Sequence, residues 1–298
     1  MKIILQKKKL ALWLGAVFLI IFIGFMVLMF HVQRQNFSNT YKGSLQVLVN
    51  EKALLVNTFL ESKVEEQKII ASMNVFKEAL LYPNDPAKIA IANNRINELK
   101  SIIPGISLMN SEGIVATGDI DLPGTDYSQH PYFIAKRQDI MFARYYDPLR
   151  KDDCYAIIGP IYGNKDKTKI IGRIAFDIEL NKIGTLMKEG SEGKTREVYL
   201  IDETGLLLSD SKYIDQGNKN GVLIQKVKSD GANECLADLK KYQKDGVIKE
   251  HKDEISQYIN YMGDEVFGAI AHVPSIVGCV IAEESAKKVL GIFDVNLY

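Results

Sequence analysis

Along the first hundred residues the hydrophobic pattern changes twice. Leu10 to Phe30, LALWLGAVFLIIFIGFMVLMF, is an apolar run without a charge. At 1.5 Å per helical residue it is long enough to cross a bilayer core of ~30 Å. From Tyr41 the apolar positions fall into a heptad. One seam holds Tyr41, Leu48, Leu55, Ser62, Ile69 and Phe76, and the other Leu45, Lys52, Phe59, Glu66, Met73 and Leu80, with only Ser62, Lys52 and Glu66 polar. No proline precedes Pro83. The pattern predicts one long helix leaving the membrane, stopped at Tyr82-Pro83-Asn84-Asp85-Pro86, and a shorter helix over about Ala87 to Ile102. Such a helix either pairs with a second copy of itself or packs along its own domain as a spine. The spine is favoured for its distal half, because apolar stripes of helical period more often form intramolecular core.

After Pro104 the period shortens to that of strands. Gly105 to Gly118, GISLMNSEGIVATG, reads as a hairpin turning at Asn110 to Gly113, where Gly113 is free to take a positive φ. Val198 to Ser209, VYLIDETGLLLS, repeats the order of strand, polar turn, glycine and strand, which hints at internal duplication. Two α+β modules result. In the first, Tyr155 to Tyr162 and Lys169 to Ile178 add strands joined by the polar turn Gly163 to Thr168. In the second, Val247 to Lys252, Ile255 to Met262, Val266 to His272 and Gly278 to Glu283 play those parts. Asn181 to Arg196 contains a helix that links the modules, Tyr213 to Lys244 is polar loop plus a helix around Cys235 to Tyr242, and Ala286 to Phe293 begins an exit helix.

Composition narrows the function. A length of 298 residues favours two folded units. Lys2, Lys7, Lys8 and Lys9 precede the apolar run, whereas His31 to Asn36 carries only Arg34, so the N-terminus is expected in the cytoplasm and the rest of the chain outside. The run exceeds the apolar region of a signal peptide and no A-x-A-like site follows it, which favours a retained transmembrane helix. Lys+Arg and Asp+Glu are equal at 37 each, without the basic excess that nucleic acid attracts. Cys154, Cys235 and Cys279 lie far apart and form no CxxC pair. At most one bridge could form, and three separate small apolar side chains is the expected arrangement. There is no GxSxG, HExxH or Walker loop, and His31, His130, His251 and His272 lack metal-ligand spacing. No catalytic residue, metal or cofactor is therefore expected.

The stretch from Thr125 to Asp177 mixes aromatic rings, a histidine, cations and carboxylates in a way that suits a pocket better than a uniform core. Asp126-Tyr127, His130-Pro131-Tyr132-Phe133, the strand around Gly159-Pro160, the strand Ile171 to Asp177 and the later hairpin around Asp202 and Gly205 follow in order. With the anchor and the stalk, they resemble the double Cache sensor domain, a pair of PAS-like modules with antiparallel sheets. That domain forms the extracytoplasmic part of bacterial and archaeal chemoreceptors, sensor histidine kinases and diguanylate cyclases.

The resemblance implies an α+β fold divided as follows: a cytoplasmic N-terminus over 1–9, a transmembrane helix over 10–30, stalk and second helix over 31–103, a membrane-distal ligand module over 104–180, a membrane-proximal module over 181–284, and an exit helix from 285 to 298. It also implies a small-molecule ligand and a homodimer through the stalk. Output as a chemoreceptor is the first expectation, and a histidine kinase or diguanylate cyclase the second. A membrane-tethered interaction scaffold without a small ligand is the rival class. The family's amino-acid motif uses an arginine and a Trp-Tyr pair on the ligand carboxylate and an aspartate on its ammonium group. Asp177 matches the aspartate, but His130 stands for the arginine, Tyr132-Phe133 for Trp-Tyr, and Thr125 for a tyrosine. A histidine near a pKa of ~6.5 is mostly neutral at pH 7 and offers one donor instead of a charged fork. The expected ligand set is therefore His130, Tyr132, Phe133, Tyr146 and Asp177, holding an amine or related cation through charge-assisted and cation–π contacts. Arg144 and Arg150 are read as surface charges, either of which could replace the missing arginine.

Overall fold

The computed structural model describes residues 2–130, 133, 140–147, 152–164, 166, 168–189, 196–212, 221–245 and 257–291. Helix α1 runs unbroken from Lys2 to Ser72. Over Trp13 to Phe30 it is apolar and exposed nearly all round, a surface that water does not favour. It is long and apolar enough to cross a membrane. Beyond Tyr41 the helix buries one stripe, Leu45, Val49, Lys52, Val56, Leu60, Lys63, Gln67 and Ile70. This stripe is rotated from the heptad seams read off the sequence, and Leu55, Ser62 and Ile69 face outward. The reason is that three buried members are long polar side chains. Their stems pack while their heads find partners: Lys52 Nζ donates to Leu186 O at 2.5 Å, and Lys63 Nζ pairs with Glu66 at 2.7 Å. Gln67 lies over Gly159, where an added Cβ would stand 2.0 Å from its amide nitrogen.

The long helix also stops earlier than the proline break. Ser72 Oγ bonds back to Ile69 O, Met73 is extended (φ −64°, ψ 128°), and α2 (Asn74–Leu81) restarts with Phe76, Ala79 and Leu80 turned into the core. Helix α3 (Pro86–Leu99) follows, its first turn capped by Asp85, which accepts from Ala87 N at 2.9 Å, with proline in the first turn.

The first sheet comprises β1 (Ser107–Asn110), β2 (Val115–Gly118), β3 (Met141–Asp147), β4 (Asp152–Tyr162) and β5 (Ile170–Asp177), in the order β2-β1-β5-β4-β3. Its pairings are antiparallel. Strand β3 falls in what the sequence suggested was loop. Helix α4 (Leu180–Lys188) leads to the second sheet, β6 (Arg196–Ile201), β7 (Gln257–Ile259), β8 (Glu265–Val273) and β9 (Gly278–Ser285), in the order β6-β9-β8-β7. Helix α5 (Asp230–Asp245) lies between β6 and β7 in the chain, and α6 (Ala286–Leu290) follows β9. The proposed strand Val247 to Lys252 lies outside the described residues. Three turns share one chemistry. Asn110, Asp202 and Asn260 each accept two backbone N–H groups with Oδ1, and Gly113, Gly205 and Gly263 follow at positive φ. The returning arm after Gly205 makes only isolated bridges, Ile201 to Leu207 and Leu206 to Lys226.

Alternation divides each sheet into two faces. The inner faces, with Ile157, Ile174 and Phe176 from the first sheet and Leu200, Phe267 and Val280 from the second, pack with α1 into one continuous core. Each outer face carries its own smaller cluster. On the second, Ala232 and Leu239 seat α5 across the sheet, and Cys235 forms a disulfide with Cys279 of β9. This corrects the expectation of three separate thiols. The pairing was not legible because the two cysteines, 44 residues apart, meet only once α5 has docked. Cys154 stays free. Removing a cross-link that closes a loop of this length is expected to cost about 4 kcal/mol. The Cys235→Ser/Cys279→Ser chain should therefore unfold at clearly lower urea than the parent, followed by circular dichroism.

Candidate functional site

The outer face of the first sheet gathers the charged side chains. Arg173, Ala175 and Asp177 alternate along β5 onto this face, beside Ala156 and Ile158 of β4 and Tyr145 of β3. Asp177 is 7% exposed and accepts a hydrogen bond from Tyr145 Oη at 2.5 Å. Its backbone N–H donates to Pro104 O at 3.0 Å. Gly105, at φ +69°, makes room for the carboxylate, since an added Cβ would stand 2.3 Å from it. A second carboxylate, Asp121, is 5% exposed and accepts from Tyr127 Oη at 2.7 Å and from Ser107 Oγ. Gly105, Ser107, Asp121, Tyr127 and Tyr145 line one narrow pocket floored by Ile158 and Ala175.

Asp121 thus lines this pocket and Asp177 is bonded to its lining residue Tyr145; the hydrogen bonds to Asp121 come from hydroxyls. Neutral donors satisfy lone pairs without cancelling charge, so the pocket favours a cation. Arg173, also buried, lies on the same face with its guanidinium 5.6 Å from the Phe133 ring centroid. Four residues of strand separate Arg173 from Asp177, roughly 13 Å between Cα atoms at about 3.3 Å per residue.

Of the residues singled out from sequence, Asp177 stands beside the pocket. Phe133 packs at the edge of the outer-face cluster, under Arg173. His130 is half-buried with its ring 6.3 Å from that of Tyr127, and burial lowers its pKa, so the imidazole is neutral at pH 7. Tyr146 is 56% exposed and is not brought to the pocket. Its neighbour Tyr145 is the tyrosine that reaches Asp177, because one residue of strand register changes the face. Tyr132 and Arg150 lie outside the described residues, and Arg144 forms a surface pair with Asp153 at 2.6 Å. Sequence reasoning missed Tyr145, Asp121, Tyr127 and Arg173. The period-two pattern of β5 could have placed Arg173 with Asp177; nothing local marks Asp121.

A larger hollow of 590 Å³ lies at the end of α1, lined by Gln67, Lys68, Lys77, Ile140, Tyr162 and Asn164. Among the described residues its lining holds no carboxylate, so it does not compete as the charged site. Among the described residues, Cys235, His272 and Cys279 are the converging group of metal-ligand types. Their sulfurs are joined to each other and supply no thiolate.

A tandem pair of antiparallel sheets strung on one long helix, with a charged pocket on an outer face, is the architecture of a sensor domain, which performs no catalysis of its own. The family model dCache_1, described as Cache domain, matches residues 33–288, and the chain belongs to this family. No curated protein sequence matches it. Among solved structures, the sensor domain of the V. cholerae histidine kinase DctB is similar at a TM-score of 0.59 and 13% identity, covering 83% of this chain and 97% of that one. The ligand-binding domain of the Pseudomonas fluorescens chemoreceptor CtaA in complex with L-isoleucine gives 0.58 and 14%, covering 87% and 98%. That of the Pseudomonas aeruginosa amino acid chemoreceptor PctC in complex with GABA gives 0.54 and 15%, covering 83% and 100%. At these identities the likeness shows the fold.

The seat of Asp177 is testable by itself. Gly105→Ala places a methyl group against the carboxylate and forces positive φ on an L side chain, at a cost of at least ~1 kcal/mol. The melting temperature should fall. Gly124→Ala is the control: it has the same backbone demand at φ +91° but open space around it, and should cost less.

Proposed function

We propose that the chain is the membrane-anchored sensory part of a receptor, and that its first module binds a small molecule bearing an ammonium group. The observation that carries this reading is Asp121, buried in the pocket wall with Tyr127 and Ser107 as hydroxyl donors, with Asp177 bonded to the pocket-lining Tyr145. An ammonium group entering there would exchange hydroxyl contacts for charge-assisted ones. Arg173, four residues before Asp177 on β5, extends the reading to a zwitterion, and the GABA complex of PctC is consistent with that extension. His130, Tyr132 and Phe133 remain proposed neighbours of the ligand.

Topology follows from the lysines before the apolar run, which put the N-terminus in the cytoplasm and residues beyond Phe30 outside. The second sheet packs on the part of α1 nearer the apolar segment, through Tyr41 and Gln46. It is therefore the membrane-proximal module, and the first is the distal one. Val47, Leu54, Leu55 and Ile69 form an exposed apolar strip on the stalk, suited to a second copy of α1. Chemoreceptor output is the first reading; the similarity to the DctB sensor domain favours a histidine kinase as the second.

The test uses the 298-residue chain in detergent, with butylamine, GABA and L-isoleucine as probes. A ligand at 100 times its Kd adds about 2.7 kcal/mol of stability, which should raise the melting temperature by at least about 5 °C. Asp177→Asn should weaken binding at least ~10-fold through loss of a charged contact. Arg173→Gln should weaken GABA and leave butylamine unchanged. If none of the three shifts the parent chain, the ammonium reading fails.

A further inference from the structure

The second sheet carries a buried acidic pair that the ligand reading does not use. Glu197 of β6 and Glu283 of β9 are direct cross-strand partners on the outer face, 2% and 1% exposed. Like charges placed opposite one another in a sheet are destabilising, and more so when dry. Neither is in an ion pair. Glu283 Oε1 accepts from Tyr199 Oη and Tyr258 Oη, both at 2.9 Å, while its buried Oε2 accepts none. Glu197 accepts from Ser211 Oγ at 2.6 Å, Lys212 N at 2.8 Å and Tyr261 Oη at 2.9 Å. Tyr258 reaches this place because two glycines leave space for it. A Cβ on Gly231 of α5 would stand 2.4 Å from its hydroxyl, and one on Gly268 of β8 2.2 Å. The surrounding groups do not supply a counter-charge at the pair. Asp230 and Glu234 of α5 add negative charge, Asn260 after β7 is neutral, and Lys212 is the one cation bearing on Glu197.

We propose that the second module is a proton sensor, in which a proton held on Glu283, opposite Glu197, keeps β6 and β9 together against the stalk. Burial, helped by the neighbouring Glu197, holds the Glu283 carboxyl up at about 7 against the downward pull of Tyr199, Tyr258 and Asn260. Burial raises Glu197 as well. The same register carries the output. The adjacent cross-strand pair, Arg196 and Glu284, points to the other face, where Glu284 Oε2 accepts from Tyr41 Oη of α1 at 2.8 Å and from Arg196 Nε at 3.2 Å. Losing the proton leaves two opposed charges one residue from this clamp. The strands part there and the grip on Tyr41 loosens.

The sign follows from linkage. A carboxyl held above its ordinary value stabilises the fold fully below that value, and the contribution is lost as pH rises through about 7. In the full chain in detergent, the melting temperature should fall between pH 5.5 and pH 8, and Glu283→Gln should flatten that part of the profile. Tyr258→Phe, which removes a donor from the ionised form, should move the midpoint to higher pH. Spin labels at Gly43→Cys and Lys287→Cys, in a Cys154→Ser background, should report a longer stalk-to-β9 distance at pH 8 than at pH 5.5, and no change when Glu283→Gln is added. A pH profile equal in parent and Glu283→Gln overturns the site. A distance that ignores pH in the parent overturns the switch.

Discussion

Everything in this molecule hangs on one stripe of one helix. From Tyr41 to Ile70, α1 closes the inner faces of both sheets in a single core, so neither module can shift without meeting the same rigid rod. The stripe is not purely greasy. Tyr41 is bonded to Glu284, Gln46 Nε2 donates to Ile270 O, Lys52 caps a carbonyl in the last turn of α4, and Gln67 fills the gap over Gly159. Lys52 is the most informative of these. A cation at a helix C-terminus is favoured by the orphan carbonyls there, and α4 joins the two sheets. The contact therefore fixes the point where one module ends and the other begins. Removing it would leave a buried carbonyl unpaired between the modules.

These polar contacts also explain which parts of the fold were legible. Hairpins were, because asparagine or aspartate three residues before glycine fixes a turn whatever surrounds it, as at Asn110–Gly113 and Asp202–Gly205. The continuous strands of β4, β5, β8 and β9 were, because their apolar runs have strand length. The face of α1 was not. The heptad seams include Lys52 but leave out Lys63 and Gln67, which are buried as well, Lys63 in an ion pair with Glu66. Met73 carries no breaker; the helix ends there because Phe76 and Leu80 must turn onto the first sheet. In β3, adjacent tyrosines hide the alternation, since Tyr145 is inside and Tyr146 outside but both read as aromatic. At the site, Asp177 was readable through the family motif. Asp121 was not, because its role depends on Ser107 and Tyr127 arriving from other parts of the fold.

The two modules place acids in matching positions, on the outer faces, and surround them with phenols. Asp121 and Asp177 meet Tyr127 and Tyr145; Glu197 and Glu283 meet Tyr199, Tyr258 and Tyr261. In both, a buried carboxylate is supplied with hydroxyl donors that stabilise its lone pairs and leave its charge standing. Such a site is poised, because whatever neutralises it changes the local balance of forces.

What differs is the space beside the acids, and space decides which neutraliser each site can take. In the first module the room left by Gly105 is filled by the Asp177 carboxylate, beside a narrow pocket lined by Ser107, Asp121 and Tyr127. In the second module the corresponding room, cleared by Gly231 and Gly268, is occupied by the Tyr258 hydroxyl. Only something without volume can reach Glu283 without displacing that ring. One scaffold thus supports two arrangements: a glycine gives room to a carboxylate beside a pocket in the first module, and two glycines give room to a phenol beside the acid pair in the second.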